Sequence, residues 1–203
     1  MIMLGQHEIS QHPLLATVLA LQQAGHYGQA SQVLTDQDPY FYDQVEIKVL
    51  YSVLAHFPQT ITLKPALCYV QALFARRMGQ VQQATQLLLD AKVTYAAASQ
   101  HQGVVHCSLE LARLALQQGN VQSAHHYLQT EVQPLLDQQL RHAQRLQAHY
   151  ALQMADNWLA QGNLAVAHTY AQQALTHYAD DGAPYGQLLA ELWLARRALQ
   201  AGV

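Results

Sequence analysis

Charge is scarce in this 203-residue chain. Only 11% of its residues are Asp, Glu, Lys or Arg, against about 25% in ordinary soluble domains. The ten basic residues are scattered singly or as the pairs Arg76-Arg77 and Arg196-Arg197, and the net charge is −3. Phosphate contacts dominate nucleic-acid affinity, so direct binding of nucleic acid by this chain is not expected. Cysteine is nearly missing as well. Cys68 and Cys107 lie far apart, which excludes a disulfide framework and a zinc motif. They read as two small buried thiols in a reducing compartment. No stretch of 18 apolar residues occurs, so no membrane span is expected. Met1-Ile2-Met3-Leu4 passes at once into polar residues, unlike a signal peptide. The expected location is the cytoplasm. Period-two runs of β-branched residues are absent, which argues against strands. Gly-x-x-x-x-Gly-Lys-Ser/Thr, Gly-x-Ser-x-Gly and His-Glu-x-x-His are all absent. The chain is therefore expected to be no enzyme and to carry no cofactor and no metal.

Glutamine, alanine and leucine fill the space, and all three are good helix formers. With 51% apolar residues, the chain can bury a sizeable core, and we expect a single repeat domain over 1–203. The dominant signal is internal repetition. Gly25 to Ala30, Gly79 to Ala84, Gly119 to Ala124 and Gly162 to Ala167 each read Gly-x-apolar-x-x-Ala, and a fifth copy begins at Gly202-Val203. Each Gly follows an apolar helical stretch and each Ala sits early in a second helix. Glycine at a helix C-terminus takes up the left-handed conformation without a Cβ clash. The apolar residue two places on is expected to pack into the crevice between the helices. The Ala five places on lets the axes approach. Ala72, Ala112, Ala155 and Ala195, each seven residues before its Gly, should complete that contact. On the second helices, Leu88 and Ala91, and Ala171 and Ala174, form the next layer. The third copy departs, with Leu128 but Glu131, which predicts a looser or shifted second helix.

Successive glycines stand 54, 40, 43 and 40 residues apart. The long first gap holds an additional helix, Tyr42–His56, ended by Phe57-Pro58. The linker Gln59–Leu63 follows, and Pro65 opens the next helix near its first turn. Asp36 to Pro39 reads as a turn, and Tyr40-Phe41-Tyr42 as an aromatic cover on the first pair. Asp180-Asp181-Gly182 reads as a turn before the last helix, without the alternating carboxylates of a calcium loop.

The corner pattern resembles the tetratricopeptide repeat over nearly the whole chain. That resemblance implies an all-α, right-handed superhelix of antiparallel helix pairs, about ten helices in all. The irregular first gap is more particular. A leucine-rich helix over 44–56 is broken at Phe57-Pro58, and Lys64-Pro65-Ala66-Leu67 then opens a helix running through Ala72 to Gly79. This order is similar to the repeat arm of the large ATP-dependent LuxR-type transcription regulators. In that family the arm senses an inducer and lies between an ATPase module and a C-terminal helix-turn-helix. Neither a phosphate loop nor a basic helix-turn-helix is present in this sequence, so the resemblance covers the arm alone. It implies a fragment or stand-alone relative of such an arm. The alternative is a free-standing adaptor that binds a peptide or protein partner.

In such a superhelix the first helices of each pair line the concave side. Repeat register places Tyr69, Arg76, His106, Arg113, His149, Asp156 and Arg196 there. Arg113 can pair with Glu110 three residues earlier, and Arg196 has Glu191 nearby. The expected ligand is a peptide, a protein or a small polar effector, with Arg binding carboxylate or phosphate and Tyr stacking on a ring. The Leu positions at 109, 116, 152, 159, 192 and 199 are either core or an apolar floor for an amphipathic helix. The twelve histidines read as solvent-facing substitutes for Lys and Arg. His106 and Cys107, being consecutive, do not face each other as a catalytic pair. The last helix, Leu188–Leu199, is apolar on most faces and expects a neighbour, which suggests a homodimer or a longer array.

Overall fold

The computed structural model describes residues 12–35, 45–58, 65–136, 138, 140 and 143–201. Every regular element among them is a helix, ten in all. They are α1 (Pro13–Gln23), α2 (Tyr27–Thr35), α3 (Ile47–Ala55), α4 (Pro65–Arg77), α5 (Val81–Ala97), α6 (His101–Gln117), α7, α8 (Ala143–Ala160), α9 (Leu164–Asp180) and α10 (Pro184–Ala201). Helix α7 is continuous but composite: Val121–His126, then a π-helical Tyr127–Val132, then Gln133–Leu136. No helix among the described residues is long and apolar enough to cross a membrane. The expected aromatic cover at Tyr40 to Tyr42, the linker 59–63 and the corner at Gly202 lie outside the described residues.

The packing divides into two compact units, Met1–Tyr95 and Ala96–Val203. In the first, α1 packs on α2 and α3, and α4 packs on α2 and α3. Its core is built from large apolar side chains, among them Leu15, Leu34, Leu50, Val53, Leu67 and Leu73. The buried Gln22 amide donates to the Val53 carbonyl at 3.0 Å, tying α1 to α3. In the second unit, α7 packs on α6, α8 on both, α9 on α8 and α10 on α9. Val105, Leu109, Leu128, Val132, Leu146 and Met154 form one cluster of its core.

The glycine corners explain why each hairpin closes. Gly25, Gly79, Gly119 and Gly162 all adopt positive φ, between 73° and 80°. At each, two backbone bonds satisfy the end of the helix. The Gly119 N–H donates to the Leu116 carbonyl at 2.9 Å, and the Asn120 N–H to that of Ala115 at 2.8 Å. This is the Schellman pattern. Gly182 closes α9 in the same way (φ 66°), although no apolar-x-x-Ala follows it. Between α5 and α6 the left-handed position falls on Ser99 (φ 54°), where a Cβ makes that conformation costly.

Ala30, Ala84, Ala124 and Ala167 are completely buried, as are Ala72, Ala112 and Ala155 seven residues before their glycines. Ala195 is not; it is exposed, with no helix on that face among the described residues. The expected crevice residue also needs correction. Tyr27, Val81 and Val121 are only half-buried, and Leu164 is 46% exposed. A side chain at the first turn leans back past the helix N-terminus, so the hairpin partner alone cannot cover it.

The shifted third copy is real and takes the form of the π-helical segment. Buried positions along α5 run Ala84, Leu88, Ala91, Tyr95, and along α9 Ala167, Ala171, Ala174, Tyr178. Along α7 they run Ala124, Leu128, Val132, Leu136. One extra residue is accommodated by the wider turn. Val132 thereby replaces Glu131 in the core, and Glu131 accepts a hydrogen bond from the buried Ser108 hydroxyl at 2.6 Å. Both cysteines are buried, and neither is in a disulfide. Burial raises the Cys68 thiol pKa, and the nearby charge of Asp90 adds to it.

Candidate functional site

The residues six places before each corner glycine decide where a polar surface can form. In the second unit and its last helix these are Arg113, Asp156 and Arg196. They lie on α6 and α8, the first helices of two successive hairpins, and on α10. Asp156 is the hub. Its carboxylate accepts the Trp193 indole N–H at 2.8 Å. The chain opens to solvent at Asp156, yet the surrounding walls strip much of its hydration. That desolvation raises its pKa, opposed by the Trp193 hydrogen bond and by the charges of Arg113 and Arg197. Arg197 stands over the Trp193 ring, 5.6 Å from its centroid, a cation–π distance. Arg113 pairs with Glu110 at 3.5 Å, as the i,i+3 spacing predicts, with the Glu110 side chain only 2% exposed.

Three further polar residues support the face from α8. Asn157, fully buried, donates from Nδ2 to the Val121 carbonyl at 2.9 Å, fixing α8 against the start of α7. Its Oδ1 lies 3.0 Å from His125 Nδ1 and accepts from Gln161 at 2.6 Å. Gln153 is 4% exposed, and its side-chain oxygen has no hydrogen-bond partner among the described residues. The outer edge of α8 is pinned by Arg145, whose Nε donates to Asp181 at 2.6 Å.

Not every expected site residue reaches this surface. Arg113 and Asp156 are brought together, while Arg196 is exposed on α10. His106 is half-buried on α6. His149 is 2% exposed and packs on the Tyr178 ring at 5.6 Å. It belongs to the core, which also corrects the reading of the histidines as uniformly solvent-facing. Tyr69 is 1% exposed and belongs to the core of the first unit. Arg76 lies half-buried at the end of α4 in that unit. Leu109 and Leu152 are core, Leu192 is 57% exposed, and the side chain of Leu199 lies outside the described residues. No ion pair joins Arg196 to Glu191 within the described chain, and both are exposed.

Trp193, Arg197, Gln153 and Asn157 were not singled out by the sequence reading. A signal for them exists: polar or amphipathic residues recur nine and five places before the glycines, as Glu110, Gln153 and Trp193, and as Asn157 and Arg197, on otherwise apolar helices. Among the described residues, no group of three or more His, Cys, Asp or Glu side chains could hold a metal ion. Comparison of the chain with protein-family models, with curated proteins and with solved structures finds no match.

Proposed function

We propose that this chain is a non-catalytic, tetratricopeptide-like interaction arm, and that the face built from Arg113, Asp156, Trp193 and Arg197 binds a carboxylate-bearing peptide or effector. The observation that carries the reading is the linkage of these four side chains across α6, α8 and α10. Helices that must stack can be held by apolar contacts alone. Here three of them spend charged and aromatic groups on a surface open to solvent. Arg113 and Arg197 stand on either side of Asp156, and guanidinium groups are suited to bidentate carboxylate recognition. The Trp193 ring offers a flat apolar wall beside it.

The wider assignment, an arm of a LuxR-type regulator, is supported by the broken helix order of the first unit. Helix α3 ends ahead of Phe57-Pro58 and Pro65 is the first residue of α4, as the resemblance requires. An ATPase module and a helix-turn-helix in the same reading frame would support it; a reading frame with neither would sink that assignment and leave the adaptor. The groove is tested separately. Short peptides with a free C-terminal carboxylate, and their amidated counterparts, are titrated into a Trp158→Phe background so that Trp193 reports alone. Saturable quenching by the free acids, lost in Arg197→Ala and Arg113→Ala, is the expected result. Equal response to acid and amide, or none in the millimolar range, would refute carboxylate recognition.

A further inference from the structure

Helix α10 carries a second pattern that the groove does not use. Tyr185, Leu188, Leu192 and Ala195 follow one another at spacings of three, four and three, and Leu199 continues the series by sequence. The first three are 37%, 49% and 57% exposed, and Ala195 is exposed beside them. The opposite side of the helix is committed to the chain. Ala190 is fully buried, and a Cβ at Gly186 would fall 2.2 Å from the Tyr178 ring of α9. What remains outside is a heptad seam of about two repeats.

The charges beside that seam identify its occupant. Glu191 immediately precedes the seam residue Leu192, and Arg196 immediately follows the seam residue Ala195. In a parallel two-stranded coiled coil these flanking positions, five residues apart, meet across the interface. Glu191 of each copy then faces Arg196 of the other, twice by symmetry. An antiparallel pair would instead set Glu191 beside Glu191 and Arg196 beside Arg196. A helix closing on α10 as α9 closes on α8 fits less well. On α8 the equivalent stripe, Ala148, Leu152 and Ala155, is buried together with Ala151 beside it. Glu191 occupies the place of Ala151 on α10, so such a closure would bury a carboxylate and require a counter-charge from the closing helix.

We propose that α10 is a homodimerisation helix, pairing in parallel with α10 of a second copy through Leu188, Leu192 and Ala195, with reciprocal Glu191–Arg196 ion pairs. Two heptads make a small interface, so the dimer is weak, forms in the micromolar range and loosens with salt. This inference is independent of the groove reading, since Leu188, Leu192 and Ala195 take no part in that site.

Sedimentation equilibrium on the full chain tests it. The wild type should show a reversible monomer–dimer equilibrium and Leu192→Glu should be monomeric. Glu191→Lys or Arg196→Glu alone should weaken the dimer about tenfold, and the two together should restore it. Ala195→Cys should cross-link to itself on oxidation, because a parallel seam sets residue 195 against its own copy. A chain still monomeric at about 1 mM, or a dimer indifferent to Leu192→Glu, overturns the proposal. Failure of the double reversal to restore association, or of Ala195→Cys to cross-link, overturns the parallel geometry. Circular dichroism on each variant separates lost association from lost folding.

Discussion

The two units use the same corner to different ends. In Met1–Tyr95 the positions six before the glycines are Leu19 and Leu73; in Ala96–Val203 they are Arg113 and Asp156. The residue after each glycine differs in the same direction. His26 and Gln80 follow the first two corners, neither a strong capping side chain. Asn120 and Asn163 follow the next two, and each accepts a hydrogen bond at the start of the following helix, from the Ser123 N–H at 3.1 Å and the Val166 N–H at 3.2 Å. Buried polar side chains are also more numerous in the second unit, where they are Ser108, Glu110, His149, Gln153 and Asn157, against Gln22 and Ser31 in the first. A helix pair that must present fixed polar groups needs its ends held and its buried polar atoms paired. A pair that only fills a core needs less of either. The difference separates a packing unit from a presenting one.

That contrast can be broken by mutation, most severely at Gly186. Gly186→Ala drives a methyl into the Tyr178 ring and should cost about 2–3 kcal/mol. Hydrogen exchange should show α9 and α10 losing protection while α1 to α4 keep theirs; uniform loss would show that the units do not unfold separately. Next in size are the caps. Asn163→Ala or Asn120→Ala should each cost about 1 kcal/mol by chemical denaturation, and no change would mean the Asn bonds are incidental. The reciprocal change, Gln80→Asn, should transplant the cap to the first unit and raise its stability by about 0.5 kcal/mol.

The smallest effect is at Asp156. Its pKa is raised in the folded chain, so folding disfavours the ionised form, and its contribution is lost as pH rises through the folded value. Asp156→Asn keeps an acceptor for Trp193 and removes the charge. The variant should melt above wild type at pH 7, and the gap should close near pH 3, where wild-type Asp156 is protonated. A gap that widened on acidification would reverse the assigned sign.

The hairpin geometry was legible because it depends on single residues with few substitutes. Gly25, Gly79, Gly119 and Gly162 announce a positive φ, and the Ala residues five places later announce a close approach. Glu131 announced its own disturbance, since a carboxylate cannot take the place of Ala91 or Ala174. Gly186 was silent, because its role is set by Tyr178, an aromatic eight residues earlier on another helix. The site was half legible. Seven residues along a helix bring the chain back to within about 20° of the same face, so His149 shares a direction with Asp156. Direction is not exposure: Tyr178, at the far end of α9, folds over His149 and leaves Asp156 open. Trp193 and Arg197 escaped notice for a related reason, since their meaning lies in Asp156, one hairpin away.

The wide turn in α7 gives the chain a tolerance that straight helices lack. In α5 or α9, removing one residue would rotate everything beyond it by about 100° and turn the buried face outward. In α7 the surplus residue is already present. Deleting Glu131 would bring Ala124, Leu128, Val132 and Leu136 onto the same four-three-four spacing as their counterparts in α9, at the expense of the Ser108 hydrogen bond. This stretch of helix can shorten by one residue and keep its inward face inward.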